Sequence, residues 1–177
     1  MADSQRSGGR RFDRDHGVTT HAIFFLSELD RDRRSEAYAH ATHYEAVPVG
    51  DFRALMACLD AEVLARSTFV DVGAGMGRAV MLAMEFPFEQ VCGIELSRSL
   101  HEIARENLAG VHDLRVRCRD VRLLRGDARK ARYPKGDLVL FLFNPFDAQA
   151  LGATLARVRE TREAGDETYV VYHTPVH

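Results

Sequence analysis

The sequence predicts an α/β fold: a doubly wound, mostly parallel sheet with helices on both faces. Residues 138–143 are continuously apolar, which is typical of a central parallel strand that is covered on both sides. Residues 69–78 pass from an apolar run through a glycine-rich turn to the start of a helical pattern. Strands that alternate with helices in this way form a parallel sheet, because each helix carries the chain back to the same end of the sheet.

Five apolar runs predict the strands, and helical patterns occupy the intervals. Apolar residues from Phe52 to Leu64 share one helical face, and Asp51 is the expected N-cap of a single helix. Ser97 is the expected N-cap of another helix, whose apolar series begins at Leu100. The predicted strands are 69–72, 90–96, 121–126, 138–143 and 168–173, and the later helices lie near 76–86, 97–109 and 147–160.

The composition limits the class of protein. A chain of 177 residues with 46% hydrophobic and 28% charged residues suits one soluble globular domain. The longest apolar run, 138–143, is far shorter than the ~18 residues that a membrane-spanning helix needs. The first residues are polar and lack the apolar core of a signal peptide, so we expect a cytoplasmic protein.

The charges and histidines give no sign of a nucleic-acid, membrane or metal partner. A formal net charge of −2 provides no general attraction to a polyanion. We interpret the arginines between Arg115 and Arg125 as charges that keep an edge strand from pairing with another sheet. His40 and His43 are three residues apart but have no cysteine or carboxylate at metal-ligand spacing, so we predict no metal site.

The glycine-rich turn carries the first indication of a ligand. Its pattern is D-x-G-x-G-x-G and begins at Asp71, whereas a dinucleotide-binding turn has a third glycine where this chain has Arg78. A carboxylate beside the turn would repel a pyrophosphate but suits a cationic ligand with an ammonium and a sulfonium group. The alternative is an ordinary strand-glycine-helix corner without a ligand.

A second acid stands at the end of the next predicted strand. Glu95 follows Gly73 by twenty-two residues, at the position where a carboxylate accepts the two ribose hydroxyls of an adenosine. Glu95 could instead cap the next helix, but Ser97 already supplies that cap. We therefore expect Glu95 to be available to a ligand.

With these residues the chain resembles motif I of class I S-adenosyl-L-methionine (SAM) dependent methyltransferases, which have a Rossmann-like fold. The resemblance implies SAM as the cofactor and methyl transfer as the reaction. It also implies that Asp127 and Ala128, after the third strand, contact the adenine. Residues 13–20 and 44–49 look like the amino-terminal part of a small uncharacterised bacterial subgroup of these enzymes. The predicted cofactor-binding residues are Asp71, Gly73, Ala74, Gly75, Gly77, Glu95, Leu96, Asp127, Ala128 and Asn144.

Asn144-Pro145-Phe146 resembles motif IV of methyltransferases that act on amide or exocyclic nitrogen. In that motif the Asn oxygen accepts a hydrogen bond from the target N–H, and the aromatic ring, here Phe146, stacks on the substrate. This implies an acceptor nitrogen, although the motif has two prolines where this chain has one. The alternative is that Asn144 and Pro145 simply end the strand. His173, at the end of the last strand, is a candidate for acceptor contact or proton removal, and Tyr44 is a candidate substrate contact.

The end of the chain departs from the family pattern. Class I methyltransferases add a further helix and two strands after the fifth strand, so we expect a carboxyl-terminally abridged fold, or a truncation, whose uncovered last strand favours a homo-oligomer. We divide the chain into a disordered tail (1–11), an amino-terminal arm or lid (12–50) and a SAM-binding core (51–177). The methyl acceptor is not predicted. Two other functions stay open: a non-catalytic SAM-binding module and an NAD-dependent oxidoreductase.

Overall fold

The computed structural model describes residues 2–25, 43–143 and 147–175. Two short strands, β1 (Ile23–Phe25) and β2 (His43–Glu45), pair antiparallel with each other. The strands of the main sheet are β3 (Thr68–Val72), β4 (Gln90–Glu95), β5 (Val121–Arg125), β6 (Leu138–Phe143) and β7 (Thr168–His173).

The main sheet is parallel throughout and has the strand order β5-β4-β3-β6-β7. The order reverses at β3, because the chain leaves β3 for β4 and β5 on one side and returns to β6 and β7 on the other. Ligand sites of open α/β sheets form at such a reversal, outside the carboxyl ends of the strands. The predicted α/β fold and its five strands are confirmed, and the arginine-bearing β5 is an edge strand.

Six helices are assigned to the described residues. Their bounds are α1 (Ala2–His16), α2 (Val49–Met56), α3 (Ala61–Arg66), α4 (Arg78–Ala83), α5 (Arg98–Gly110) and α6 (Ala148–Glu160). Helices α4, α5 and α6 begin and end within a few residues of their predicted bounds.

The single helix predicted after Asp51 is wrong, because the structure has two helices there. The carbonyl of Pro48 accepts the first helical hydrogen bond, from the amide of Phe52, so α2 begins before Asp51 and does not use it as the N-cap. At the carboxyl end of α2 the backbone amides bond carbonyls three residues earlier instead of four, and the backbone of Asp60 is extended, so the helix ends there. The shared apolar face persists because both short helices bury their apolar residues against the sheet.

The amino-terminal residues differ from the predicted tail. Residues 2–16 form α1, although sequence alone favours disorder over 1–11. Phe12 is 4% exposed and belongs to the main hydrophobic core together with Val18. Tertiary packing at the carboxyl end of α1 therefore stabilises a helix that its polar composition alone would not stabilise. The division into tail, arm and core stays a prediction.

The core lies on both faces of the sheet, because side chains alternate along each strand. One face carries a cluster of aromatic rings, in which Phe141 lies 5.1 Å from Phe52 and 6.0 Å from Phe69 between ring centroids. The helices α2, α3 and α4 pack on this face. The other face is largely aliphatic, and α6 packs there through Val158. Helices therefore cover both faces, as predicted. Among the described residues, no helix combines the length and the apolar character of a membrane-spanning segment.

Candidate functional site

The loops after β3 and β4 meet at the carboxyl end of the sheet. The glycine loop, residues 73–77, joins β3 to α4 and contains three glycines with φ angles of +81°, +54° and +87°. The amides of Gly73 and Ala74 both donate to the carbonyl of Ile94, at 2.9 and 3.0 Å. Because that carbonyl belongs to β4, the position of the glycine loop is fixed by the neighbouring strand.

Glu95 connects the two loops. Its Oε2 accepts a hydrogen bond from the amide of Gly75 at 2.7 Å, and its Oε1 accepts one from the amide of Ser97 at 2.7 Å. The residue is 6% exposed. Each carboxylate oxygen accepts one of these bonds, so the carboxylate is held where the two loops meet.

The predicted helix cap beside Glu95 is confirmed. The Ser97 hydroxyl accepts a hydrogen bond from the amide of Leu100 at 3.2 Å, at the start of α5. Leu96 lies between Glu95 and Ser97 and is half-buried. Ser97 thus supplies the helix cap, as the sequence predicts, whereas Glu95 accepts bonds from the amides of Gly75 and Ser97, and its predicted availability to a ligand stays a prediction.

Asp71 is a buried carboxylate within β3. It is 4% exposed, and no described residue donates a hydrogen bond to its side chain. Burial, and next the negative charge of Glu95, raise the pKa of Asp71 to about 8. A buried carboxylate without a donor is unfavourable alone, so this position suits a bound cation.

Asp127 and Ala128 follow β5, near the end of β4. The amide of Gly126 donates to the Glu95 carbonyl at 2.8 Å, which brings the end of β5 to the same region. The Asp127 carboxylate accepts hydrogen bonds from the Arg129 guanidinium at 2.9 to 3.1 Å. Partial burial opposes ionisation of Asp127, but the bonds and charge of Arg129 outweigh it and lower the pKa. Ala128 is buried, and its carbonyl accepts a bond from the Tyr133 hydroxyl.

Tyr44 lies on the glycine loop. A Cβ atom at Gly75 would overlap the Tyr44 ring, and a φ of +54° is itself strained for any other residue. The Tyr44 hydroxyl donates to the carbonyl of Thr20 at 2.7 Å. Burial raises the pKa of Tyr44, so its hydroxyl stays protonated and serves as a donor. The structure thus places this predicted substrate contact beside the predicted cofactor loop.

His173 lies at the carboxyl end of β7, apart from these loops in the sheet order. Its ring stacks on Phe143 with centroids 5.1 Å apart, and its Nε2 is 3.4 Å from Oδ2 of Asp51. Asn144 and Phe146 lie outside the described residues, so the structure does not place them. No three His, Cys, Asp or Glu side chains of the described part cluster to hold a metal ion.

Sequence reasoning missed Arg78 as a contact residue, because it used Arg78 only to reject a dinucleotide pattern. Arg78 is 3% exposed and forms an ion pair with Asp13, with Nη2 and Oδ1 3.3 Å apart. It is the one charged residue of α4, whose other residues are apolar. A lone charge in an otherwise buried apolar helix is the signal that could have identified it.

Comparison with known proteins identifies the fold. No protein-family model and no curated protein matches the chain. The glycopeptide N-methyltransferase MtfA, complexed with SAM, matches with a TM-score of 0.54 and 24% identity, over 72% of this chain and 55% of that one. The chain has the fold of class I SAM-dependent methyltransferases. MtfA is also matched in complexes with S-adenosyl-L-homocysteine (SAH) and with sinefungin.

Two eukaryotic structures share this methyltransferase fold. A SAM-dependent methyltransferase of Leishmania major matches with a TM-score of 0.52 and 15% identity, over 70% of this chain and 48% of that one. The Haemonchus contortus phosphoethanolamine N-methyltransferase 1, in complex with phosphoethanolamine and SAH, gives 0.50 and 17%, over 69% and 25%. The chain spans about half the length of MtfA and of the Leishmania protein. The expected resemblance is confirmed at the level of the fold.

Proposed function

We propose that the protein is a SAM-dependent methyltransferase. The observation that carries the proposal is Asp71, a carboxylate that is 4% exposed, lies beside the charge of Glu95 and has no hydrogen-bond donor among the described residues. In their ionised forms these two acids, at the ends of neighbouring strands, attract a cation and repel a pyrophosphate, and a bound cation in turn stabilises the ionised form of Asp71. SAM carries an ammonium and a sulfonium group, so its charge suits this position.

We propose roles for the remaining residues of the site from their positions. Asp71 holds the ammonium, and the glycine loop lets the backbone approach the methionine portion. Glu95 accepts the ribose hydroxyls through its two carboxylate oxygens, which the amide bonds hold at this end of the sheet. Asp127 and Ala128 face the adenine, and Arg129 keeps Asp127 ionised as an acceptor.

The protein's contribution to the reaction is positioning. When bound, SAM supplies a methyl carbon that its sulfonium already activates. The chain therefore needs no nucleophile of its own, and its residues orient the reactants and exclude water from them. This agrees with a site made of buried acids and backbone amides.

We infer that the acceptor atom is a nitrogen. The support is the sequence Asn144-Pro145-Phe146 after β6, in which Asn144 would line the methyl side and Phe146 would stack on the acceptor. Two of the matched structures are named as N-methyltransferases, which agrees with this preference. His173, on the neighbouring strand β7, is the candidate to receive the acceptor's proton.

The competing functions make different predictions. An NAD-dependent oxidoreductase is disfavoured because Asp71 would repel a pyrophosphate and because Arg78 occupies the position of the third glycine. A non-catalytic SAM-binding module would bind SAM as tightly but would transfer no methyl group. A binding measurement with SAM and NAD therefore distinguishes the methyltransferase from an oxidoreductase, and a turnover measurement distinguishes it from a non-catalytic module.

Calorimetric titration with SAM, SAH and NAD tests the cofactor. We expect micromolar binding of SAM and SAH, no binding of NAD, and affinity at least about tenfold weaker in Glu95→Ala, equivalent to about 1.4 kcal/mol. Glu89→Ala is the matched control, because Glu89 is an exposed acid just before the other end of β4. Unchanged SAH affinity in Glu95→Ala would remove Glu95 from the site. Transfer of labelled methyl groups to a panel of amines then distinguishes an enzyme from a binding module.

A further inference from the structure

Arg78 is a buried cation at the start of α4, immediately after the glycine loop. It is 3% exposed, and the five residues that follow it in the helix are apolar. A guanidinium buried in this way is unfavourable unless its N–H groups are bonded and its charge is paired. Its partners therefore indicate what the residue is there to hold.

The three nitrogens of the Arg78 guanidinium each bond a different part of the amino-terminal region. Nε donates to the Thr20 hydroxyl at 2.6 Å, Nη1 to the Val47 carbonyl at 3.4 Å, and Nη2 to the Asp13 carboxylate at 3.3 Å. Asp13 belongs to α1, Thr20 precedes β1, and Val47 follows β2. The planar, forked guanidinium can bond three segments at once, which a lysine ammonium on a single stem does less well.

Asp13 completes the attachment from the other side. Its Oδ2 accepts bonds from the amides of Thr20 and His21, both at 2.7 Å. Its Oδ1 accepts a bond from the Thr20 hydroxyl at 2.5 Å, so the Thr20 hydroxyl lies between Asp13 and Arg78. Both the backbone and the side chain of Thr20 are thereby fixed.

Thr20 passes this constraint to Tyr44. The carbonyl of Thr20 accepts a hydrogen bond from the Tyr44 hydroxyl at 2.7 Å, and the Tyr44 ring lies against Gly75. The contacts run from Arg78 through Thr20 and Tyr44 back to the glycine loop, which Arg78 directly follows. The amino-terminal region and the glycine loop are thus joined in a closed circuit of contacts.

Asn107 of α5 makes a second connection between the same two parts. Its side-chain amide accepts from the amide of Thr19 and donates to the carbonyl of Thr19, both at 2.9 Å. It also donates to the carbonyl of Met76, within the glycine loop, at 2.9 Å. Two independent polar groups therefore hold residues 19–20 at the loop.

We propose that Arg78 is a positioning residue for the cofactor. Arg78 acts through Thr20 to hold Tyr44 against the glycine loop, where Tyr44 forms one wall of the SAM site. This inference rests on the proposed function. Residues 13–20 and 44–47 then form part of the cofactor site, although they lie outside the predicted SAM-binding core.

The test compares Thr20→Val with Thr20→Ser. Valine keeps the shape of the side chain but removes the hydroxyl that Arg78 and Asp13 share, whereas serine keeps that hydroxyl. We expect Thr20→Val to weaken SAH binding about tenfold and to accelerate amide exchange of residues 18–22 and 44–47 in the ligand-free protein. In Thr20→Ser, the SAH affinity and the amide exchange rates should both stay within about twofold of the wild type. Arg78→Met should show the larger loss.

A matched control separates positioning from general stability. Arg66 is also paired with acids, Asp137 and Glu167, but at the amino ends of the strands. Arg66→Met should reduce stability without changing SAH affinity. If folded Thr20→Val or Arg78→Met binds SAH with wild-type affinity, the inference is overturned and the proposed function is unaffected. Failure of the wild-type protein to bind SAH would overturn the proposed function, and the inference with it. If Arg78→Met does not fold, the serine and valine variants still decide the question.

Discussion

The carboxyl ends of β3 and β4 differ from that of β7 in how their polar side chains are held. Asp71 and Glu95 are 4% and 6% exposed, and Glu95 is bonded to two backbone amides. His173 at the end of β7 instead lies beside Asp51, and these two side chains are 21% and 36% exposed. The first arrangement is fixed before a ligand arrives, whereas the second is partly exposed to solvent. Under the proposed function, cofactor binding belongs to the β3–β4 side and acceptor handling to the β7 side.

Gly75→Ala should show the largest effect on the β3–β4 side. The φ of +54° and the overlap with the Tyr44 ring should together reduce the free energy of unfolding by at least about 2 kcal/mol and abolish SAH binding. Gly152→Ala is the matched control, because Gly152 lies within α6 and a Cβ there meets no atom within 4 Å. It should stabilise the protein by about 0.5–1 kcal/mol. Denaturant unfolding measures the change in stability, and calorimetry measures the change in SAH affinity. Equal stability and equal SAH affinity in the two variants would contradict the claim that the glycine loop is fixed against Tyr44.

Removal of two helix caps compares α5, which follows β4, with α6, which leads to β7, at an equal expected loss of stability. Ser97 caps α5 and Asp147 caps α6, in each case by accepting a bond from a backbone amide. Ser97→Ala and Asp147→Ala should each reduce the free energy of unfolding by about 1 kcal/mol. Only Ser97→Ala should also weaken SAH binding, by about threefold, because the Ser97 amide bonds Glu95. Equal SAH affinity in both variants would show that the cap does not position Glu95.

His173→Asn should have the smallest effect on binding. Because His173 lies beside Asp51 on the far side of the sheet order, SAH affinity should stay within about twofold of the wild type. Methyl transfer to an amine acceptor should fall by at least about tenfold if His173 receives the proton. The reverse pattern, weaker SAH binding with unchanged turnover, would move His173 to the cofactor side and remove the contrast between the two ends.

The sequence predicted the parts of the site that depend on local signals. An apolar run, an acid and a glycine turn are readable at residues 69–77 because adjacent residues create them. The Ser97 cap was predicted for the same reason, since capping depends on residues three positions apart. The five strands followed from their apolar runs, of which 138–143 is continuous and that of β5 is interrupted by arginines.

The parts that depend on distant residues were missed. Arg78 lies fifty-eight positions from Thr20 along the chain, and nothing in either neighbourhood reveals their hydrogen bond. The helix α1 also depends on packing of Phe12 into a distant core, so its polar composition suggested disorder. The Arg129 pair with Asp127 is local, and the Asp-x-Arg spacing could have indicated it.

The most direct test of the cation site is the pH dependence of SAH binding. The pKa of Asp71 is raised to about 8 in the free protein, so Asp71 carries a proton at lower pH. An ammonium bound beside Asp71 favours the ionised form, so binding releases this proton and the affinity should rise with pH up to about 8. The rise should approach about tenfold per pH unit below the pKa and should vanish above it.

Calorimetric titration with SAH between about pH 6 and 9, on the wild type and on Asp71→Asn, makes this measurement. We predict that the wild-type affinity rises and then levels off, and that Asp71→Asn binds weakly with no such rise. Wild-type affinity that is independent of pH, together with unimpaired binding by Asp71→Asn, would contradict the assignment of Asp71 as the residue that holds the cofactor's ammonium.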